Sequence, residues 1–412
     1  MTSGLARRLG TGDAVVVGLS AMIGAGVFAA FAPAASAAGP LLLLALALAA
    51  VVAYCNATSS ARLAARHPES GGTYVYGRRR LGPFWGYLAG WGFVVGKTAS
   101  CAAMALTFGA YVAPGLAVPL AVGAVVALTA LNLLGVQRSA MAARIMVALV
   151  LAVLAAVVVA GLTGGKAPST PWHAVPQAPV APWEVLQAAG LLFFAFAGYA
   201  RIATLGEEVR DPERTIPRAV PIALGITLVV YTLVALATLR VLGPARLGTS
   251  HAPLVDTVIG AGAGWLAPVV RAGAAVAALG ALLALILGVS RTTFAMARER
   301  DLPGFLDAVH PVRQVPYRAE LAVAVAVIVL VLAVDLRGAI GFSSFGVLVY
   351  YAVANAAALT LARDEGAPPR AVPVVGLALC VVLAVTLPAA SVAAGLAVFA
   401  AGGLWWVLRR RP

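Results

Sequence analysis

Residues 13–37 read DAVVVGLSAMIGAGVFAAFAPAASA, an apolar run interrupted near its middle by Gly24, Ala25 and Gly26. A helix crosses a bilayer with about 20 mostly apolar residues, so the run is long enough to span. Small residues at its centre let the helix unwind there. Unpaired backbone amides and carbonyls are tolerated at membrane depth only where they line a cavity or touch a ligand. A second interrupted run, residues 183–208, contains LLFFAFAGYARIATLGEE, with Gly198 where the first run has its glycines. The two breaks are expected to form one ligand site together.

The rest of the chain is built to the same physical brief. With 412 residues, 62% of them hydrophobic and only 11% charged, it has too little polar surface to enclose itself as a soluble globule. Twelve spans are expected, near 13–37, 40–61, 84–112, 116–134, 143–162, 184–206, 217–240, 264–290, 319–335, 340–361, 372–387 and 389–408. The net charge of +14 does not indicate a nucleic-acid partner, because the basic residues sort by membrane side. A path that starts inside puts 22 of the 29 Lys and Arg in the cytoplasm and four outside, so both termini are expected to be cytoplasmic. Cys55, Cys101 and Cys380 all fall in apolar spans, which implies neither a disulfide framework nor a metal site. The first run is too long, and too closely followed by another, to be a cleaved signal peptide.

Between spans five and six, the Pro-rich segment 163–182 divides the chain into two halves of five spans. Each half begins with a glycine-broken span, and the odd count makes those two spans run in opposite directions, the signature of an inverted repeat. The chain is therefore expected to be one transmembrane domain, 1–412, with repeats over about 13–162 and 184–361 and additional helices over 372–408. Before span three, HPESGGTYVYGRRRLGP offers Tyr74 and Tyr76 to an interfacial helix. The segment EEVRDPERTIPRAV, residues 207–220, reads as a solvated turn with capping prolines.

The chemistry of catalysis is missing. The four histidines fall in loops on different sides of the membrane, no His/Cys/Asp cluster has metal-ligand spacing, and no Ser/His/Asp set converges. There is no phosphate-cradling GxxxxGK[ST] loop. Neither an enzyme nor a bound cofactor is expected. All fifteen carboxylates map to loops or span ends, Glu320 among them, which argues against a buried carboxylate relay. The eighth span lacks Ser and Thr over 264–289, so sodium coupling through it is disfavoured.

Lys97 lies roughly 20 Å along its span from Phe84 at 1.5 Å per residue, close to the midplane. An ionisable group at that depth is costly and usually functional, so it is placed to load and release a proton, or to stand where another transporter holds a cation. The alternative is a lysine that only ties helices together. Arg271 is expected to snorkel outward. Arg201, three residues past Gly198, either faces an inner vestibule or reaches the inner interface.

At the site, exposed amides around Ala25 and Gly26 suit a carboxylate, and unwound carbonyls near Met22, Phe194, Ala195 and Ala197 suit an ammonium. A zwitterionic amino acid satisfies both. Ile23, Gly24 and Gly198 complete the breaks. Phe28, Phe194, Phe196 and Tyr199 wall a pocket without an anion, which favours small or neutral substrates over cationic ones. The alternative, that these glycines merely permit close helix packing, explains one break more easily than two in corresponding positions.

At IGAGVF (23–28), FFAFAGY (193–199), EEVRDPERTIPRA (207–219) and SRTTFAMARERDLPGFLDAVHP (290–311), the chain resembles the amino acid, polyamine and organocation (APC) superfamily. The resemblance implies an all-α membrane protein with the five-plus-five inverted repeat of the leucine-transporter type. It implies a carboxylate site on Ala25 and Gly26, an ammonium site on Met22, Phe194, Ala195 and Ala197, and an aromatic gate on Phe194. Two departures concern coupling. Relatives' lysine in the fifth span corresponds to Val150, whose role Lys97 is placed to take, and a coupling acid after the sixth-span glycine corresponds to Ala200. The expectation is an inner-membrane permease in the cell membrane that moves an amino acid or organic amine by alternating access with a proton, its other partner being membrane lipid. The rivals are an amino acid exchanger and a non-transporting membrane sensor.

Overall fold

A computed structural model describes residues 9–24, 26–67, 71–135, 140–164, 179–203 and 209–409. The helices are α1 (Thr11–Met22), α2 (Gly26–Ala29), α3 (Phe31–Ala38), α4 (Leu42–Arg66), α5 (Thr73–Leu81), α6 (Pro83–Val112), α7 (Ala117–Leu133) and α8 (Ala140–Thr163). They continue as α9 (Pro182–Phe196), α10 (Ala200–Ala203), α11 (Pro212–Thr249), α12 (Pro253–Gly260), α13 (Ala267–Arg298), α14 (Tyr317–Ala333), α15 (Leu336–Ala358), α16 (Ala371–Thr386) and α17 (Ala389–Arg409). Backbone groups in hydrocarbon must be satisfied within the segment, and in this Ala-, Leu- and Val-rich chain the helix does so. The protein is a multi-pass membrane protein, and every regular element among its described residues is helical.

Among the described residues, nine helical stretches are long and apolar enough to cross a membrane. They fall on nine of the twelve expected spans. The other three coincide with α9, α14 and α16, of 15, 17 and 16 residues. At 1.5 Å per residue these reach roughly 23–26 Å, short of a hydrocarbon core of about 30 Å. For α9 the reason is local, since the helix stops at Phe196 and gives way to a tight 3-10 turn, Ala197–Tyr199.

α6 packs against α13 and α15, and α4 against α9, α11 and α15. α1 and α3 lie on α11, with α3 also against α9, so both interrupted segments sit inside the bundle. α17, by contrast, is mostly exposed. A buried polar knot ties α4, α15 and α16. Ser59 donates to Asn355 Oδ1 at 2.7 Å, Asn355 donates to Asn56 Oδ1 at 2.6 Å, and Cys380 Sγ lies 3.3 Å from Asn56 Oδ1. The three cysteines are buried and free.

α5 takes the place expected of an interfacial helix, but its tyrosines face inward. Tyr74 and Tyr76 are buried, and the Tyr74 hydroxyl donates to Asp301 at 2.8 Å. Burial first and the Asp301 carboxylate second push the Tyr74 phenol above its ordinary range. Arg78 reaches Glu299 at 3.1 Å, and Arg80 reaches Glu365 at 2.5 Å, so α5 is clamped by the segments that follow α13 and α15. The turn expected to be solvated is only partly so: Val209 is fully buried and bridges to Leu9.

Candidate substrate site

α1 ends at Met22, where the Ile23 amide still bonds the Leu19 carbonyl at 2.7 Å, and the chain bends through Ile23 and Gly24. Helix resumes at Gly26, whose carbonyl accepts from the Ala30 amide at 2.9 Å. Ala25 lies outside the described residues. The second segment leaves α-geometry at Ala197 (φ −63°, ψ 1°) and passes through its 3-10 turn into α10.

The two interruptions touch each other through their backbones. A methyl group on Gly26 would lie 2.8 Å from Ala195 Cα, and one on Gly198 would overlap the Ala21 carbonyl. Only glycine lets the main chains approach this closely. Gly24 is less constrained, its added methyl meeting Ala281 Cβ of α13 at 3.1 Å.

Partners from three other helices meet the carbonyls the breaks release. The hydroxyl of Tyr231, midway along α11 and fully buried, lies 2.6 Å from the Met22 carbonyl and 3.0 Å from that of Ala195. It thus bridges the two interruptions. Lys97, the fifteenth of the 30 residues of α6, donates from Nζ to the Ala197 carbonyl at 3.4 Å. Tyr351 of α15 points its hydroxyl at the same oxygen from 3.5 Å. Lys97 is buried, so its amine has exchanged water for this carbonyl.

The remaining expected residues cluster around this core. Met22, Ile23, Gly26, Phe194, Ala195, Phe196, Ala197 and Tyr199 are all buried. The Phe196 ring packs edge-on against Tyr231 at 5.1 Å, and the Tyr199 ring lies 5.0 Å from Tyr351. Phe28 sits edge-on to Tyr111 at 5.6 Å, and its carbonyl takes the Tyr111 hydroxyl at 3.0 Å. The site is therefore closed in this conformation. A cavity of about 380 Å³ lies elsewhere, among α6, α13, α14 and α17, lined by Tyr87, Trp91, Thr293, Val323 and Trp405.

Arg201 lies in α10 with an exposed side chain. Arg271 does not simply run outward: its guanidinium donates to the Tyr111 carbonyl at 2.6 Å and ties α13 to the end of α6. Among the described residues, no group of three or more His, Cys, Asp or Glu is arranged to hold a metal ion.

The sequence reading missed Tyr231 and Tyr351. A signal existed, because a phenol in a span such as LVVYTLV must bury its hydroxyl on a partner, and loose carbonyls at the breaks supply one. The reading also missed how fully Glu320, expected at a span end, is buried in the first turn of α14.

A family model described as amino acid permease matches residues 9–407. An uncharacterized transporter of Mycobacterium tuberculosis is 67% identical over 406 residues, covering 98% of this chain and 92% of its own. A branched-chain amino acid permease of Bacillus subtilis is 27% identical over 392 residues, covering 89% and 83%. Cationic amino acid transporter 4 of Homo sapiens is 27% identical over 393 residues, covering 90% of this chain and 62% of its own.

Proposed function

The chain belongs to the amino acid permease family, and from that premise we propose that it is a secondary transporter of an amino acid or related organic amine. It works by alternating access in the cell membrane, with proton symport as the coupling mode. The observation that carries this reading is the meeting of two helix interruptions, Gly26 against Ala195, with Tyr231 on a carbonyl from each. Backbone dipoles gathered at one place inside an apolar bundle suit a small zwitterion, and family membership makes that zwitterion an amino acid.

In this reading the chain crosses twelve times, α9–α10, α14 and α16 included, with both termini cytoplasmic. Its five-plus-five inverted repeat spans about 13–162 and 184–361. Substrate carboxylate takes the amides at Ala25 and Gly26, and substrate ammonium takes carbonyls of Met22, Phe194, Ala195 and Ala197. Ile23, Gly24, Phe196, Gly198 and Tyr199 shape the pocket. Binding displaces the Tyr231 hydroxyl and the Lys97 amine from carbonyls they hold in the closed site, which links the substrate to an amine able to carry a proton. Lys97 carries the coupling proton, and Arg201 faces the vestibule. A resident ammonium also disfavours cationic side chains, so a neutral amino acid is the preferred cargo.

A thermal-shift screen of the purified protein against amino acids and polyamines tests the reading, because a ligand that binds the folded state raises the midpoint. A neutral amino acid is expected to raise it more than lysine, arginine or a polyamine. A well-folded sample that responds to no member of the panel overturns the reading.

A further inference from the structure

Glu320 lies in the first turn of α14 with no exposed surface, and among the described residues neither carboxylate oxygen reaches a hydrogen-bond donor at good geometry. Its helix packs against α7, α13 and α6. α7 contributes no titratable side chain, only the Asn132 carboxamide beside Glu320. Asn132 Nδ2 is itself buried and unpartnered, as is Thr129 Oγ1 one turn earlier on α7. From α13, Arg291 acts on Glu320 through its field from an exposed position. The ionisable groups of α6 are engaged elsewhere: Lys97 on Ala197 with Cys101 beside it, Tyr87 on the Gly402 carbonyl, and Tyr111 on Phe28. On α14 itself, Arg318 bonds the Tyr317 hydroxyl and the Phe305 carbonyl. The adjoining turn Gly304–Asp307 carries one ionisable residue, Asp307.

An ionised carboxylate is kept inside a protein by an ion pair or by several hydrogen bonds. Glu320 has neither. A neutral carboxyl fits the same place well: it offers one donor and one acceptor, and the Asn132 carboxamide answers with an acceptor and a donor.

We propose that Glu320 is a proton-binding site, separate from Lys97, that holds its proton while α14 is packed on α7 and α13. When the layer parts and water enters, the O–H bond breaks, the electron pair stays on the carboxylate and the proton passes to water. The proton thus acts as the ligand of the packed layer. Acid favours the closed arrangement and alkali the opened one. The step from this site to substrate movement rests on the transport reading, but the proton site does not.

Infrared difference spectroscopy of the full chain in lipid vesicles, without substrate, tests the proposal through the carbonyl-stretch band of protonated carboxylic acids. At neutral pH the wild type is expected to show a band that E320Q lacks by one carboxyl's intensity and that K97M retains. Amide protection at the last turn of α7 and first turn of α14, measured relative to the intrinsic exchange rate at each pH, should fall with rising pH in the wild type and stay constant in E320Q. Should E320Q fail to fold, E320D is expected to keep the band at a shifted frequency. Wild-type and E320Q spectra that coincide from acid to alkaline pH overturn the proposal, as does exchange with the same pH dependence in both. Neither readout involves cargo, so failure here leaves the thermal-shift result standing, and the reverse holds too.

Discussion

The two helix interruptions look alike in sequence but are held in different ways. At the first, the Met22 carbonyl meets a neutral hydroxyl, that of Tyr231, at 2.6 Å. At the second, the Ala197 carbonyl meets an amine, Lys97 Nζ, at 3.4 Å, with a second phenol 3.5 Å away. A hydroxyl on a carbonyl keeps its character across ordinary pH, whereas an amine in a dry environment responds to proton supply. The first interruption is therefore the fixed half of the site and the second the ionisable half. Both nevertheless hold a glycine locked against main chain, Gly26 on Ala195 and Gly198 on Ala21, whereas Gly24 meets only the Ala281 side chain closely.

The largest effect is expected where backbone meets backbone. Gly198→Leu should cost more than about 3 kcal/mol, the upper range for overpacking, and appear as loss of folded protein in a thermal melt. Gly24→Ala, which asks only a methyl to yield, should cost less than about 1.5 kcal/mol. Equal losses would erase the distinction between glycines held by main chain and glycines facing a side chain. Next comes Lys97→Met, expected to flatten the pH dependence of uptake and lower its neutral-pH rate roughly 5- to 150-fold, the range of ordinary coupling energies. Uptake that stays as pH-dependent as wild type would remove the second break's claim to be the ionisable half.

Tyr231→Phe leaves two buried carbonyls short of a donor and should destabilise by about 1–3 kcal/mol while leaving the pH profile of uptake in place. Tyr351→Phe removes a contact at the long limit of hydrogen bonding and should cost about 0.5 kcal/mol or less. Glu365 lies outside this comparison, on the clamp around α5, and sets a baseline for pH effects unrelated to the site. Hydrogen bonds from Arg80 hold its carboxyl at about 2, below the ordinary 4.5. A depressed carboxylate stabilises fully above its ordinary value and loses that contribution as pH falls through the depressed one. The wild-type melting midpoint should thus decline from about pH 4.5 toward 2, and Glu365→Gln should start slightly lower and decline less.

Much of this was legible in the sequence, for reasons that differ by element. The membrane class follows from 62% hydrophobic content, and the interruption at Gly24–Gly26 from small residues inside an apolar run. Lys97 stands out by depth alone, because an amine at midmembrane has few places to go. What it bonds was not legible: Ala197 lies 100 positions away, and only the folded bundle brings α6 to the turn that follows α9. Tyr231 was hidden for the same reason, its two carbonyl partners lying 209 and 36 positions distant. Glu320 shows the limit of placing residues by span ends, since a position in the first turn says nothing about whether neighbouring helices cover it. The inward tyrosines of α5 repeat the lesson, as Asp301 draws Tyr74 away from the surface its sequence setting suggests.

The most direct test is uptake of a labelled neutral amino acid into proteoliposomes under an inward proton gradient, comparing wild type with a Gly26→Leu variant of matched thermal stability. The account predicts that wild type accumulates the amino acid above its external concentration and that the variant, with the contact surface between Gly26 and Ala195 filled, does not. Accumulation by the variant at the wild-type rate and affinity would contradict it.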